Sequence, residues 1–504
     1  MIDSMTISAL IENLKGCLLK GAPDTEVTGL HYDSRTVEPG GAFFALRGQA
    51  LDGHRFIDQA LERGAKTIFL EKERELPPGV ATVVVDDCRQ VMAQVAAAFF
   101  GDPTADIPVV GVTGTNGKTT VTYLVEAILR AAGHRPAVFG TINYRFADQI
   151  LSSLHTTPEA IDMLRGVAGF RRQGADALVM EVSSHALEQH RVSGVHFKVG
   201  VFTNLTPEHL DYHGNMDDYF ASKTRLFTEL LQKEGAVVNV EDPYGARLAG
   251  LLLSPLTCGS SADCAIYPLD VKTTLEGTSG TVDTPCGTVS FSSPLLGAFN
   301  LQNLLCAIGA GVALGLSAEV IGRGLSEAPQ VPGRLERVDN GRGVMALVDY
   351  AHTGDALDKV LVTLAALAPR RMITVFGCGG DRDRSKRPVM GEIASRRSDL
   401  AVVTSDNPRT EDPDAIIAEV CAGVARVHRR PLTRAEAASG AKGYIVIPDR
   451  REAIAFAADV SRGGDLLLVA GKGHEDYQIL GRERIHFDDR EELSRALARV
   501  ETTP

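Results

Sequence analysis

The chain has 504 residues, of which 44% are hydrophobic and 23% charged, and its formal charge is -12 at neutral pH. That length exceeds one ordinary core and predicts two to four domains, with the composition of a soluble globular protein. The negative balance excludes nonspecific nucleic-acid binding and attraction to an anionic membrane surface, so local groups must hold any anionic ligand.

No apolar run approaches the roughly 20 residues of a membrane span. Met1-Ile2-Asp3-Ser4 lacks the basic and long apolar segments of a signal peptide. The eight cysteines are scattered without a C-x-x-C pair, and nothing near Cys258 and Cys264 completes a metal set. Reduced, mostly buried thiols in a cytoplasmic protein are expected.

In chain order, residues 1 to 100 alternate short strands and helices and end in an Ala-rich helix over 91–100. Gly101-Asp102-Pro103-Thr104 reads as a turn or linker. From Ile107 the pattern becomes strand, glycine loop, helix, with further strands expected over 177–182, 197–203 and 236–240. Continuous apolar strands between amphipathic helices predict a parallel sheet covered on both faces. A stretch rich in Thr, Ser and Gly, 255–293, reads as β, and a helix is expected over 300–314. Val331-Pro332-Gly333-Arg334 marks a second boundary, followed by strands expected over 344–349, 372–376, 400–404 and 465–470.

The densest chemistry lies in Val112-Thr113-Gly114-Thr115-Asn116-Gly117-Lys118-Thr119-Thr120, between a strand and a helix. Amides at a helix N-terminus and the helix dipole favour an anion there. Gly114 and Gly117 allow close backbone approach, Lys118 can reach β/γ-phosphates, and the Thr119 hydroxyl can take a Mg²⁺ position. The strict phosphate-loop pattern has Gly where Val112 stands. Met180-Glu181-Val182-Ser183-Ser184-His185 puts an acid at a strand end, where a Mg²⁺ ligand belongs. Thr203-Asn204-Leu205-Thr206-Pro207-Glu208-His209 ends the next strand with many ligand-capable side chains. These features define an ATPase core without defining its reaction; a kinase or a nucleotide-driven switch would carry them too.

T-G-T-N-G-K-T-T, E-V-S-S-H-A-L-E-Q-H-R and N-L-T-P-E-H-L-D-Y-H-G resemble the central domain of the Mur ligases, ATP-dependent amide-forming enzymes of peptidoglycan synthesis. Asp33-Ser34-Arg35 and the segment from Pro39 to Gly48 resemble their UDP-binding domain. Pro332-Gly333-Arg334-Leu335-Glu336, Asp349-Tyr350-Ala351-His352 and Gly471-Lys472-Gly473-His474-Glu475 resemble their C-terminal domain. The resemblance implies a three-domain α/β fold. A small UDP-MurNAc-binding domain would span 1–104, a phosphate-loop ATPase domain with a mostly parallel sheet 105–331, and a Rossmann-like amino-acid-binding domain 332–504.

It also implies a function: addition of the third stem-peptide residue to UDP-MurNAc-L-Ala-D-Glu, through an acyl phosphate on the D-glutamate side chain. Carried over residue by residue, Thr113 to Thr119, Asn300, Asn303, Arg334 and His352 would contact ATP. Lys118, Glu181, His209 and Lys223 would be catalytic. Thr119, Glu181, His209 and Lys223 as a carbamate would hold Mg²⁺; by itself Lys223 reads only as a helix lysine. Tyr32, Ser34, Gly48, Gln49, Ala50, Thr156, Thr157, Ser183, Gln189 and Arg191 would bind the UDP-substrate. Two positions depart from the family's usual residues, Glu208 for Asp and Gly354 for Pro. A monomer is expected.

The third residue is usually meso-diaminopimelate or L-lysine, which differ by one distal carboxylate. An arginine fork suits that carboxylate. Asp406-Asn407-Pro408-Arg409 resembles the motif of diaminopimelate-adding members, with Arg382 as a second contact and Gly471 and Glu475 receiving the ammonium-bearing end. The alternatives are a surface Arg409 paired with Glu411 or Asp412, an enzyme that adds L-lysine, and a relative of folylpolyglutamate synthase.

Overall fold

The computed structural model describes residues 4–48, 51–153, 155–232 and 234–499, so the expectations for Gln49 and Ala50 lie outside the described residues. Two compact units emerge. One is formed by 1–268 with 282–289 and 304–325, the other by 269–281, 290–303 and 326–504.

The first unit contains a five-stranded sheet in the order Leu18–Lys20, Ala81–Val84, Thr67–Leu70, Ala42–Phe44, Leu30–His31, all parallel except the first strand. Its helix Cys88–Phe99 starts three residues before the periodicity indicates. The Asp87 carboxylate accepts from the Arg89 and Gln90 amides and caps the first turn there.

The same unit contains an eight-stranded sheet. Its order is Gln149–Ser152, Asn143–Phe146, Pro136–Phe139, Ala177–Glu181, Val109–Thr113, Val199–Phe202, Ala236–Asn239, Leu256–Cys258. Six of these strands run parallel, and the first two form an antiparallel hairpin on one edge. The parallel strands Val109–Thr113 and Ala177–Glu181 are buried along their whole length, which explains their unbroken apolar sequence. The hairpin was not expected, because its second strand is exposed throughout and has no apolar alternation.

The second unit contains a six-stranded sheet in the order Glu336–Val338, Met345–Asp349, Leu466–Ala470, Met372–Phe376, Leu400–Val403, Gly443–Val446. The first strand is antiparallel and the rest are parallel. Leu347, Phe376, Val403 and Leu468 join one core, against the helices Gly354–Ala365, Lys386–Arg397 and Pro413–Val424. Val348, Val375, Val402 and Val469 join another, against Arg450–Val460 and Asp489–Arg499. Successive residues of a strand face opposite sides, so each strand feeds both cores. The four expected strands are the inner ones. The two edge strands were missed because they are short and only partly apolar. A hairpin of Tyr477–Leu480 and Glu483–His486 was also missed.

Parallel order places the loops after Thr113, Glu181 and Phe202 at one edge of the first unit's large sheet. It does the same for the loops after Asp349, Phe376, Val403 and Ala470 in the second unit. Open α/β sheets bind ligands at such edges.

Candidate active site

Gly117 takes φ 87° and ends the glycine loop as the N-cap of the helix Lys118–Ala131. At Gly114, φ 144°, a Cβ would lie 1.9 Å from Thr203 Oγ1, so only glycine lets the loop lie against the neighbouring strand end. That strand end fixes the loop from below. Thr115 N donates to Asn204 O at 2.8 Å, Asn116 N to Asn204 Oδ1 at 3.0 Å, and Thr203 Oγ1 to Asn116 O at 2.6 Å. Lys118 Nζ donates to Gly114 O at 2.9 Å and Thr115 O at 2.8 Å.

Glu181, 1% exposed, accepts from Thr119 Oγ1 at 3.0 Å, from Thr141 N at 2.9 Å and from Thr141 Oγ1 at 2.9 Å. A Cβ on Gly140 would come within 2.5 Å of its Oε1. Three donors and a glycine therefore aim this carboxylate at the start of the phosphate-loop helix.

Lys223, on the helix Met216–Arg225, is 1% exposed rather than solvated. Its Nζ donates to the same Gly114 carbonyl at 2.9 Å and lies 4.7 Å from the Tyr219 ring centroid. Burial, then the nearby Lys118 charge, holds its amine well below the ordinary lysine range. Beside it, the rings of His185 and His209 lie 4.8 Å apart and those of His213 and Tyr219 4.9 Å apart. Burial lowers the pKa of all three histidines, and that of His185 falls to about 4. His209 has φ 57°, an unusual conformation for a residue with a side chain.

Five of the residues expected at the UDP-substrate share this unit's large sheet edge or lead to it. Thr156 Oγ1 is 3.0 Å from Thr141 Oγ1, and Thr157 Oγ1 donates to Glu181 O at 2.8 Å and to Ser183 Oγ at 3.3 Å. Arg191 donates to Thr157 O at 2.9 Å and to Gln189 Oε1 at 2.7 Å, and pairs with Glu159 at 3.2 Å. Gln189 Nε2 in turn donates to Tyr212 Oη at 3.1 Å. From the five-stranded sheet, Tyr32 Oη donates to Asp162 Oδ2 at 2.5 Å, at the start of the helix Ala160–Arg172. Ser34 is buried and donates to Gln59 at 2.7 Å, and Gly48 N donates to Leu51 O at 2.9 Å.

Asn300, Asn303, Arg334 and His352 belong to the second unit. Asn303 Nδ2 donates to Asn300 Oδ1 at 3.0 Å, with both side chains buried. Arg334 lies over the Tyr350 ring at 4.7 Å, and His352 Nδ1 is 2.8 Å from Tyr350 O. A Cβ on Gly333 would sit 2.1 Å from His474 N, so the loop carrying Arg334 and the loop carrying Glu475 touch backbone to backbone.

In the same unit the loop from Asp406 to Arg409 is buried but for the half-buried Arg409. Arg409 has φ 52°; its backbone N–H donates to Ile479 O at 3.1 Å, and its Nη1 donates to Gly380 O at 2.7 Å. A Cβ on Gly380 would lie 1.9 Å from Pro408 O, so glycine permits this approach. Neither acidic residue considered as a surface partner is available. Glu411 binds Arg387 at 2.7 and 2.9 Å, and Asp412 caps the helix Pro413–Val424. Among the described residues Arg409 has no acidic partner. Arg382 is exposed and donates to Asp381 O at 3.0 Å. Asn407 Nδ2 donates to Glu475 Oε2 at 2.9 Å, and a Cβ on Gly471 would lie 2.7 Å from Asp406 Oδ2. Burial and Asp406 raise the pKa of Glu475, whereas Asp406 stays low against its own burial because Lys472 and Arg450 face it.

Sequence reasoning missed Thr141, Asn204, Glu159, Arg387, Lys472 and Arg450. Two of them stood in segments already singled out, Asn204 in the stretch from Thr203 to His209 and Lys472 inside G-K-G-H-E.

The Mur ligase family, catalytic domain, matches residues 26–100; the Mur ligase middle domain matches 112–311; and the Mur ligase, glutamate ligase domain matches 333–473. A UDP-N-acetylmuramoyl-L-alanyl-D-glutamate--2,6-diaminopimelate ligase of Geobacter metallireducens is 56% identical over 94% of this chain and 95% of its own. One of Geobacter sulfurreducens is 53% identical over 94% and 95%. A solved structure of a ligase of that same name superposes with a TM-score of 0.71 at 31% identity, covering 99% of this chain and 100% of the other.

Proposed function

The chain belongs to the Mur ligase family, and on that footing we propose how its loops divide one reaction. It is an ATP-dependent ligase that adds 2,6-diaminopimelate, as the meso isomer, to UDP-MurNAc-L-Ala-D-Glu in peptidoglycan synthesis. The D-glutamate side-chain carboxylate is a poor electrophile, because its leaving group would be oxide. Transfer of the γ-phosphoryl group from ATP gives an acyl phosphate. The amino group of diaminopimelate attacks its carbonyl carbon and loses a proton, and the tetrahedral intermediate expels phosphate to leave the amide.

In this scheme the amides at the start of the helix Lys118–Ala131 and Lys118 hold the β/γ-phosphates and oppose the charge that builds during transfer. The lysine must leave Gly114 O to do so. Thr119 and Glu181 offer hard oxygen donors, which fit Mg²⁺, an ion that takes a few protein oxygens and completes its shell with phosphate and water. His209 and a carbamate on Lys223 would serve a second ion, and burial favours the uncharged Lys223 amine that adds to CO₂. When bound, the ions would neutralise phosphoryl oxygens. Asn300, Asn303, Arg334 and His352 bind the rest of the nucleotide. Tyr32, Ser34, Gly48, Gln49, Ala50, Thr156, Thr157, Ser183, Gln189 and Arg191 bind the UDP-substrate.

We place the domain boundaries at 104/105 and 331/332, and the working compartment in the cytoplasm, where ATP is supplied. No helix among the described residues is long and apolar enough to cross a membrane.

The observation that carries the choice of amino acid is the guanidinium of Arg409. It is half-buried, bonded to a backbone carbonyl and without an acidic partner among the described residues. A bidentate carboxylate is the ligand such a fork lacks. The test is an amino-acid panel with purified enzyme, ATP, Mg²⁺ and UDP-MurNAc-L-Ala-D-Glu. Product with meso-diaminopimelate and little with L-lysine is expected. Preference for lysine would refute the assignment.

A further inference from the structure

Under the amino-acid loops lies a group of charged side chains to which the reaction scheme gives no role. Lys472 is 0% exposed, and its Nζ donates to Asn407 Oδ1 at 3.2 Å and Glu475 Oε2 at 3.3 Å, with Asp406 Oδ1 at 3.8 Å. Behind it Arg450 and Asp489 form a fully buried pair, with Nε to Oδ1 at 2.8 Å and Nη2 to Oδ2 at 2.6 Å. Arg450 Nη2 also donates to Ala470 O at 3.0 Å, the residue before Gly471. Arg450 and Asp489 cancel. What remains in direct contact is one cation, Lys472, between two carboxylates, Asp406 and Glu475; Lys386 and His352 act on Asp406 only from farther away. The remainder is one negative charge, the complement of one ammonium group.

We propose that Lys472 is a positioning residue of the amino-acid site, offsetting one of the carboxylates Asp406 and Glu475 so that the pair presents a single net negative charge to the substrate's ammonium. The proposal rests on the diaminopimelate reading for the identity of that ammonium, and on the geometry alone for the charge balance.

Several groups face Glu475. They are Lys472 and Tyr477 along its own segment, Asp406 and Asn407 from the loop after Leu400–Val403, Tyr350 from the loop after Met345–Asp349, and Arg450 from its helix. Among the described residues, Lys472 is the one cation hydrogen-bonded to it. Without that cation, two buried carboxylates would face each other, and Glu475, whose pKa burial and Asp406 already raise, would bind a proton and stop accepting from the substrate.

The test compares wild-type enzyme, Lys472→Met and the double variant Lys472→Met/Glu475→Gln. In Lys472→Met, Glu475 has a folded-state pKa above its unfolded value. The stabilising effect of its proton is present at low pH and lost as pH rises through the folded value. The melting temperature of Lys472→Met should therefore fall progressively below that of wild type as pH rises, and the gap should widen less in the double variant, which lacks the titrating Glu475. A pH-independent gap for Lys472→Met would overturn the proposal. If the single variant does not fold, a folded double variant supports the proposal and an equally unfolded one overturns it. In the catalytic arm, KM for diaminopimelate in Lys472→Met should rise about tenfold per unit as pH falls below the raised Glu475 value, with the KM values for ATP and UDP-substrate unmoved. A wild-type enzyme that does not use diaminopimelate would fail the substrate reading, while the melting series, which needs no substrate, still decides the role of Lys472.

Discussion

The phosphate loop and the Asp406-to-Arg409 loop both leave the C-terminal end of a buried parallel strand, and both rely on glycines to bring backbones together. They differ in how their cations are held. Lys118 bonds carbonyls three and four residues away, and Lys223 joins it on Gly114 O. Arg409 instead bonds a carbonyl 29 residues away, and Lys472 bonds Asn407 across 65 residues. A phosphate needs one turn of amides and a cation, so a contiguous stretch can encode its site. An amino acid with a distal carboxylate needs charges of both signs at separated points, and several loops must supply them.

The largest effect should come from the contiguous site. Lys118→Ala should lower the rate of ADP formation about a hundred- to a thousandfold in a steady-state assay, while the Kd for UDP-substrate stays unchanged. A loss of UDP-substrate affinity would show that the two sites are not separable. In the dispersed site the buried Arg450–Asp489 pair links helices rather than neighbours in sequence. Arg450→Met strands Asp489 and should cost about 3–5 kcal/mol in chemical denaturation. A cost near zero would mean that the loops do not depend on this pair.

A pH effect sharpens the contrast further. Burial holds His474 uncharged, with its pKa lowered from 6.5 to about 3. A depressed value gives stability that is present above the unfolded pKa and lost as pH falls through the folded one. His474→Gln should therefore show less acid destabilisation between pH 6.5 and about 3 than wild type, measured by thermal melts. The smallest effect belongs to the exposed Arg382, whose substitution by Ala should raise KM for diaminopimelate by no more than about fivefold. A larger rise would move the main carboxylate contact from Arg409 to Arg382.

The same contrast explains what the sequence made legible. The phosphate loop, Glu181 at its strand end and the inner strands of both large sheets follow from patterns within a few residues. Thr141 does not, because a threonine after a strand has no signature until Glu181 is seen to accept from it twice. Lys223 reads as a solvated helix residue because the phosphate-loop carbonyl its amine bonds is 109 residues away, and the Tyr219 ring one turn back on its own helix does not reveal that contact. Arg450 and Lys472 resemble ordinary surface cations in composition, and only the fold gives them buried carboxylates. The edge strands and hairpins escaped because strands of three or four residues carry little periodicity.

The most direct test is the ratio of kcat/KM for meso-diaminopimelate to that for L-lysine, in wild type and in Arg409→Ala. Truncating one partner of a buried charged contact costs about 2–5 kcal/mol, so the ratio should fall by about thirtyfold or more through KM for diaminopimelate, with ATP and UDP-substrate spared. A ratio that survives the substitution unchanged would contradict the assignment of Arg409 to the distal carboxylate.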